Sequence, residues 1–189
     1  MSEKEIRALN QAVELRQDDN GLVSVAGYAA KFNEETRIGN SFTEVIERGA
    51  FTDAIGRDDV VFLINHEGLP LARTKSGTLT LSQDDIGLRI SADLDTTDPD
   101  VQSILPKMRR GDLDKMSFAF IPETQEWDDS GSIPKRTIQK ASLYDVSIVT
   151  TPAYDGTSIG LRSLEAHRQE QNKNQSVRRL RMKVRAIKE

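Results

Sequence analysis

The sequence predicts a mainly β fold with flanking helices, an α+β protein whose strands close, or nearly close, into a small barrel. Short apolar or alternating stretches recur between turn signals from residue 22 to residue 149, and helical patterns inside the body number two at most. No segment repeats another, which removes solenoids and propellers. The 189 residues, 37% hydrophobic and 30% charged, suffice for one domain with a sizeable core plus extensions.

Residues 1–15 are polar with scattered Ile6, Leu9, Val13 and Leu15, compatible with an edge strand or a fraying terminus. Asp18-Asp19-Asn20-Gly21 is a hairpin signal, because Asn-Gly supplies the positive φ values of a tight turn. A strand is expected from Leu22 to Phe32, with Gly27 as a bulge or close-approach point. Asn33 to Ser41 reads as a loop. A short segment from Phe42 ends at Gly49, and a short helix follows through Ile55. Val60-Val61-Phe62-Leu63-Ile64 is a continuous apolar run, the pattern of a strand buried on both faces, and it delivers Asn65-His66-Glu67-Gly68 at a turn. Thr78 to Leu81 and Leu88 to Leu94 alternate around Asp84-Asp85 and predict a second hairpin. Asp98-Pro99 opens a helix as N-cap and N1; Val101, Ile104, Leu105 and Met108 form its stripe, and Gly111 stops it. Pro106 is expected to break or kink that helix. Lys115 to Phe120 is a strand by its alternation, Thr124 to Pro134 an exposed loop, and Leu143 to Val149 another strand, preceded by a strand-like Lys135 to Ile138.

Composition excludes several function classes. Without cysteine there is no disulfide framework, thiolate metal site or cysteine nucleophile. No run approaches the ~20 apolar residues of a membrane span. The start, Met-Ser-Glu-Lys-Glu, lacks the apolar core of a signal peptide, and a cytoplasmic chain is the expectation. Net charge is −4, unevenly placed: residues 165–189 carry +5 and the remaining body −9. An acidic body argues against a nucleic-acid surface there. Residues 165–189 are read as a flexible basic tail outside a domain of residues 1–164, since their composition buries too little apolar surface to offset ordering entropy. Val177, Leu180, Met182, Val184 and Ile187 interleave with the arginines, so the tail can fold as a helix against an acidic scaffold.

Three residues stand out. Ser117 faces away from Met116, Phe118 and Phe120, either as a packed position or as a nucleophile. His66 sits at a strand end, a packing residue or a base. Asp145 lies between Tyr144 and Val146 in an apolar strand, where a carboxylate needs a donor, either backbone N–H groups or a histidine. Together they are the parts an activated hydroxyl requires. Asp93, Asp95, Asp98 and Asp100 lack the glycine and terminal glutamate of a calcium loop, so no metal is expected, and no nucleotide fingerprint or cofactor motif is present.

Gly27-Tyr28-Ala29-Ala30-Lys31-Phe32-Asn33, Glu47-Arg48-Gly49-Ala50-Phe51, Asn65-His66, Gly77-Thr78-Leu79, Lys115 to Phe120 and Asp145-Val146-Ser147-Ile148-Val149-Thr150-Thr151-Pro152-Ala153-Tyr154 follow in the order seen in the prohead proteases of tailed phages. The chain resembles that family from about Val25 to Tyr154. The resemblance implies a small β-barrel serine endopeptidase related to herpesvirus assemblins. It would work without cofactor inside the procapsid, in the host cytoplasm, cleaving scaffold or capsid-protein scaffold segments and itself. Carried over by position, His66 is the general base, Ser117 the nucleophile and Asp145 the acidic third residue. Backbone donors at Thr150 to Ala153, or Arg73, are the candidates for an oxyanion hole. The implied partners are the major capsid or scaffold protein and the chain itself; a homo-oligomer stays open. Two other readings use the same residues: a non-catalytic capsid-assembly or scaffolding module, and a nucleic-acid binder acting through its tail.

Overall fold

The computed structural model describes residues 3–17, 22–150 and 156–188. Its strands, in chain order, are β1 (Glu5–Ala12), β2 (Glu14–Gln17), β3 (Val23–Lys31), β4 (Thr36–Ile38), β5 (Phe42–Ile46), β6 (Val61–Ile64), β7 (Glu67–Arg73), β8 (Leu79–Gln83), β9 (Gly87–Leu94), β10 (Lys115–Asp128) and β11 (Lys135–Val149). Three helices accompany them: α1 (Thr52–Arg57), α2 (Pro99–Arg110) and α3 (Gly156–Lys188). The larger sheet runs β1-β10-β11-β5-β4, with β6 also paired to β11 and β7 to β6; the smaller runs β2-β3-β9-β8.

No pairing among the described residues closes these sheets into a ring. The pairings describe two sheets around one core. They are joined directly: β1 and β2 are separated only by Val13, so one stretch of chain leaves the larger sheet and enters the smaller. Gly27 permits the crossing, since a Cβ there would stand 3.3 Å from Val13 Cγ1. The shared core takes Phe62, Phe118, Phe120 and Ile148 from the larger sheet, Val25, Leu88 and Ile90 from the smaller, and Ile104 and Leu105 from α2. Phe51 meets Phe118 edge-on at 5.8 Å, and Phe118 stacks on Phe120 at 5.1 Å.

α2 follows the sequence at both ends. Asp98 Oδ1 accepts the Asp100 N–H at 2.8 Å, and Gly111 takes φ 82°. Pro106 does not break it, because the ring lies on the exposed face, where the turn it disturbs is open to water. Asp95 and Asp98, weighed for a metal, hold their own turns: Asp95 accepts from Thr97 and Asp98 caps the helix. The Asp18 to Gly21 turn falls outside the described residues; the strands flanking it, β2 and β3, pair antiparallel.

The expected Thr124 to Pro134 loop is shorter than read, since β10 continues to Asp128 and the connection to β11 spans only residues 129–134. Trp127 anchors this polar stretch, meeting Phe42 edge-on at 5.1 Å and stacking with His167 at 5.3 Å.

The 164/165 position falls within α3. Residues rich in Arg, Gln, Leu and Met cannot build a core but propagate a helix well once it is started. The start is made on the body: Gly160 leaves room for Phe42, Leu164 is buried with Ile38 and Phe42, and His167 Nε2 lies 2.7 Å from Asp129 Oδ2. Beyond Gln171 the described side chains are exposed, Leu180 and Met182 by 64% and 57%. Among the described residues no helix is long and apolar enough to cross a membrane.

Candidate active site

Three neighbouring strands converge on the polar residues that the sequence singles out. β10 and β11 are antiparallel, with Ser117 opposite Ser147 and Ala119 opposite Asp145. β6 runs parallel to β11, with Leu63 opposite Ser147 and Ile64 opposite Ile148. Period-two alternation then puts Ser117, Asp145 and Ser147 on one face, and the end of β6 carries His66 to the same place.

His66 arrives on a tight turn. Ile64 pairs with Glu67, so Asn65 and His66 form a two-residue hairpin loop, with φ 50° and 62°. Such a loop wants positive φ at both centres and usually takes Asn-Gly; His66 occupies the glycine position. A non-glycine residue held there stores strain of order 1–3 kcal/mol, which the surroundings must offset. β11 pins the turn: Asn65 N–H donates to the Ile148 carbonyl at 3.0 Å, Thr150 N–H donates to Asn65 Oδ1 at 3.2 Å, and His66 N–H donates to Ser147 Oγ at 3.2 Å.

The imidazole bridges the other two groups. His66 Nδ1 lies 2.5 Å from Asp145 Oδ1, and Nε2 lies 2.6 Å from Ser117 Oγ. A carboxylate only accepts, so Nδ1 carries the proton and Nε2 presents its lone pair to the serine hydroxyl. Asp145, buried in its strand, is satisfied by His66, by the Ser147 hydroxyl donating at 3.1 Å and by Lys4 Nζ at 3.7 Å. Ser117 Oγ has a second acceptor, the Arg7 carbonyl of β1 at 2.9 Å. One hydroxyl proton serves one of them at a time. Donated to Nε2, it is placed for transfer; once His66 is protonated, Nε2–H donates to Oγ and the hydroxyl turns to Arg7.

The oxyanion-hole candidates fare differently. Thr151 to Ala153 lie outside the described residues. Thr150 N–H is spent on Asn65, and Arg73 is held by Asp59 through two bonds of 2.9 and 2.6 Å.

A second polar cluster has no counterpart in the sequence reading. Glu5 and Arg7 of β1, Glu44 of β5 and Arg136 of β11 are all buried and mutually bonded. Arg7 Nε and Nη2 donate to Glu44 at 2.7 and 2.9 Å, and Arg136 donates to Glu5 at 2.8 and 2.9 Å and to Glu44 at 3.0 Å. Burial alone would raise the Glu5 pKa, but bonds and charge from Arg136 and Arg7 outweigh it and hold the carboxyl below the usual glutamate range. Burial likewise opposes the Arg7 charge, and Glu44 and Glu5 reverse it. The only signal available in the sequence was charge at strand positions, which ordinarily means a solvated face.

A hydroxyl, an imidazole and a carboxylate stand in line at distances that would let the imidazole take the hydroxyl proton. The family model for the caudovirus prohead serine protease matches residues 11–172. The chain belongs to that family. Among solved structures, the bacteriophage T4 capsid assembly protease, gp21, superposes with a TM-score of 0.53 at 9% identity, covering 79% of this chain and 98% of that one. At that identity the likeness concerns the fold. No curated protein matches the chain by sequence.

Proposed function

We propose that the chain is a serine endopeptidase of procapsid maturation. It would cleave scaffold or capsid-protein scaffold segments, and itself, inside the shell in the host cytoplasm. The observation that carries this reading is His66 standing between Ser117 Oγ and Asp145 Oδ1, at 2.6 and 2.5 Å; membership of the prohead protease family supports it.

The reaction is acyl transfer. His66 Nε2 takes the Ser117 proton as Oγ attacks the scissile carbonyl carbon, and Asp145 stabilises the imidazolium that forms. His66 then returns the proton to the departing amine, leaving an acyl-serine. Water, deprotonated by the same nitrogen, resolves it and restores the hydroxyl. No metal or cofactor takes part.

Residues 165–189 keep a separate role in this reading. Their +5 charge against the −9 body suits docking of the precursor onto an acidic scaffold, followed by removal by the enzyme itself.

Co-expression with the capsid protein of the same phage tests the proposal. Intact masses should show a trimmed capsid or scaffold partner and a trimmed protease with wild type, and uncut chains with Ser117→Ala. Identical masses in both would leave the non-catalytic assembly module as the better reading.

A further inference from the structure

We propose that Ser147 is a positioning residue of this site, the group that sets the rotation of His66 and holds Asp145 toward it; the inference rests on the protease reading. Ser147 is fully buried on β11, directly across from Ser117. Its hydroxyl accepts the main-chain N–H of His66 at 3.2 Å and donates to Asp145 Oδ1 at 3.1 Å, with Oγ also 3.2 Å from His66 Nδ1. One side chain thus joins the backbone of the base to the carboxylate that orients its ring.

The demand for such a group comes from the turn. His66 is held at φ 62°, a conformation that a residue with a Cβ adopts only under constraint. Asn65 is tied to β11 by its N–H and its side-chain oxygen, yet neither bond reaches His66 itself. Ser147 supplies the bond that does. Its proton is already committed to Asp145 Oδ1, the oxygen that receives Nδ1–H, so hydroxyl and ring converge on one acceptor and the ring keeps Nε2 toward Ser117. Without the hydroxyl, the His66 N–H loses its acceptor, Asp145 loses one of its two close donors, and the ring can swing away from Ser117. A displacement on the scale of an ångström between nucleophile and base costs about 100-fold in rate.

Ser147→Ala and Ser147→Thr, each in the full chain, separate positioning from packing. The probe is a fluorophosphonate, which modifies an activated serine hydroxyl without requiring a known peptide. Ser147→Ala should lower kinact by about 10- to 100-fold with KI little changed. Ser147→Thr, which keeps the hydroxyl, should recover most of the loss. In parallel, nitrogen-edited NMR of the imidazoles, with only two histidines in the chain, should show a sharp downfield Nδ1–H proton for His66 in wild type and Ser147→Thr. That signal should broaden or move upfield in Ser147→Ala. Labelling of Ser147→Ala within twofold of wild type, equal losses in both variants, or an unchanged His66 signal would overturn the inference. The NMR arm reads the positioning even if wild type does not label, an outcome that would count against the protease reading instead.

Discussion

Two polar clusters lie within reach of β1, and they differ in one respect. Around Arg136, four ionised side chains saturate one another: Glu5 and Glu44 accept from two guanidinium groups, and the cluster's two negative and two positive charges balance. Around His66 the groups are equally close, yet one proton has two acceptors, His66 Nε2 and the Arg7 carbonyl. The saturated cluster has no proton to move and serves the fold. The unsaturated one, in the proposed reading, moves its proton. Because Arg7 gives its side chain to the first and its carbonyl to the second, β1 fixes both, and substitutions can be chosen that strike one and spare the other.

The largest effect should come from the unsaturated cluster. Ser117→Ala or His66→Ala should lower the hydrolytic rate by about 10⁶-fold, as loss of either partner does in a triad. Stability should change by about 1 kcal/mol for the lost hydroxyl bonds of Ser117, read by urea unfolding. Asp145→Asn preserves shape but removes the charge facing the imidazolium, so the rate should fall by as much as ~10⁴-fold with unfolding little altered. A loss below about tenfold in a folded Asp145→Asn protein would give the carboxylate a structural role.

The saturated cluster should respond in the opposite sense. Arg136→Met leaves Glu5 and Glu44 buried with half their donors gone and should cost about 3–5 kcal/mol of stability. The protein that remains folded should still react at Ser117. Acid should act on the same cluster: the Glu5 pKa is lowered on folding, so its contribution is present above the unfolded value and is lost as pH falls through the folded one. Stability should therefore decline below the usual glutamate range, and Glu5→Gln should flatten that decline. An equally steep decline in Glu5→Gln would show that the lost stability lies elsewhere.

The smallest effect in solution should follow deletion of residues 170–189. The body contacts of α3 through Leu164 and His167 are kept, so the rate on an added substrate should stay within about twofold while incorporation into procapsids drops. Normal incorporation would remove the docking role.

What was readable in the sequence follows the same division. Ser117 and Asp145 each break a local apolar pattern, and His66 stands in the polar turn that ends an apolar run. Asp98, Pro99 and Gly111 were readable because capping is local. The four-charge cluster was not, since Glu5, Arg7, Glu44 and Arg136 come from three strands far apart in sequence and each resembles an ordinary surface charge. β7 was hidden by Gly68 and Pro70, which argue against a strand except at an edge, where β7 lies. Ser147 was visible only as a polar residue inside an apolar strand, and its significance depends on the left-handed turn at His66 that it holds. The mainly β fold was readable from strand count and turn spacing, but these do not reveal which strands pair, nor that the chain changes sheets at Val13 between β1 and β2.

The central claim is that Ser117 is activated through His66. Its most direct measurement is the mass of the protein after exposure to a fluorophosphonate, with the adduct mapped by peptide sequencing. A single adduct on Ser117 is expected, absent from His66→Ala on the same time scale. An adduct on another residue, or equal labelling of wild type and His66→Ala, would contradict it.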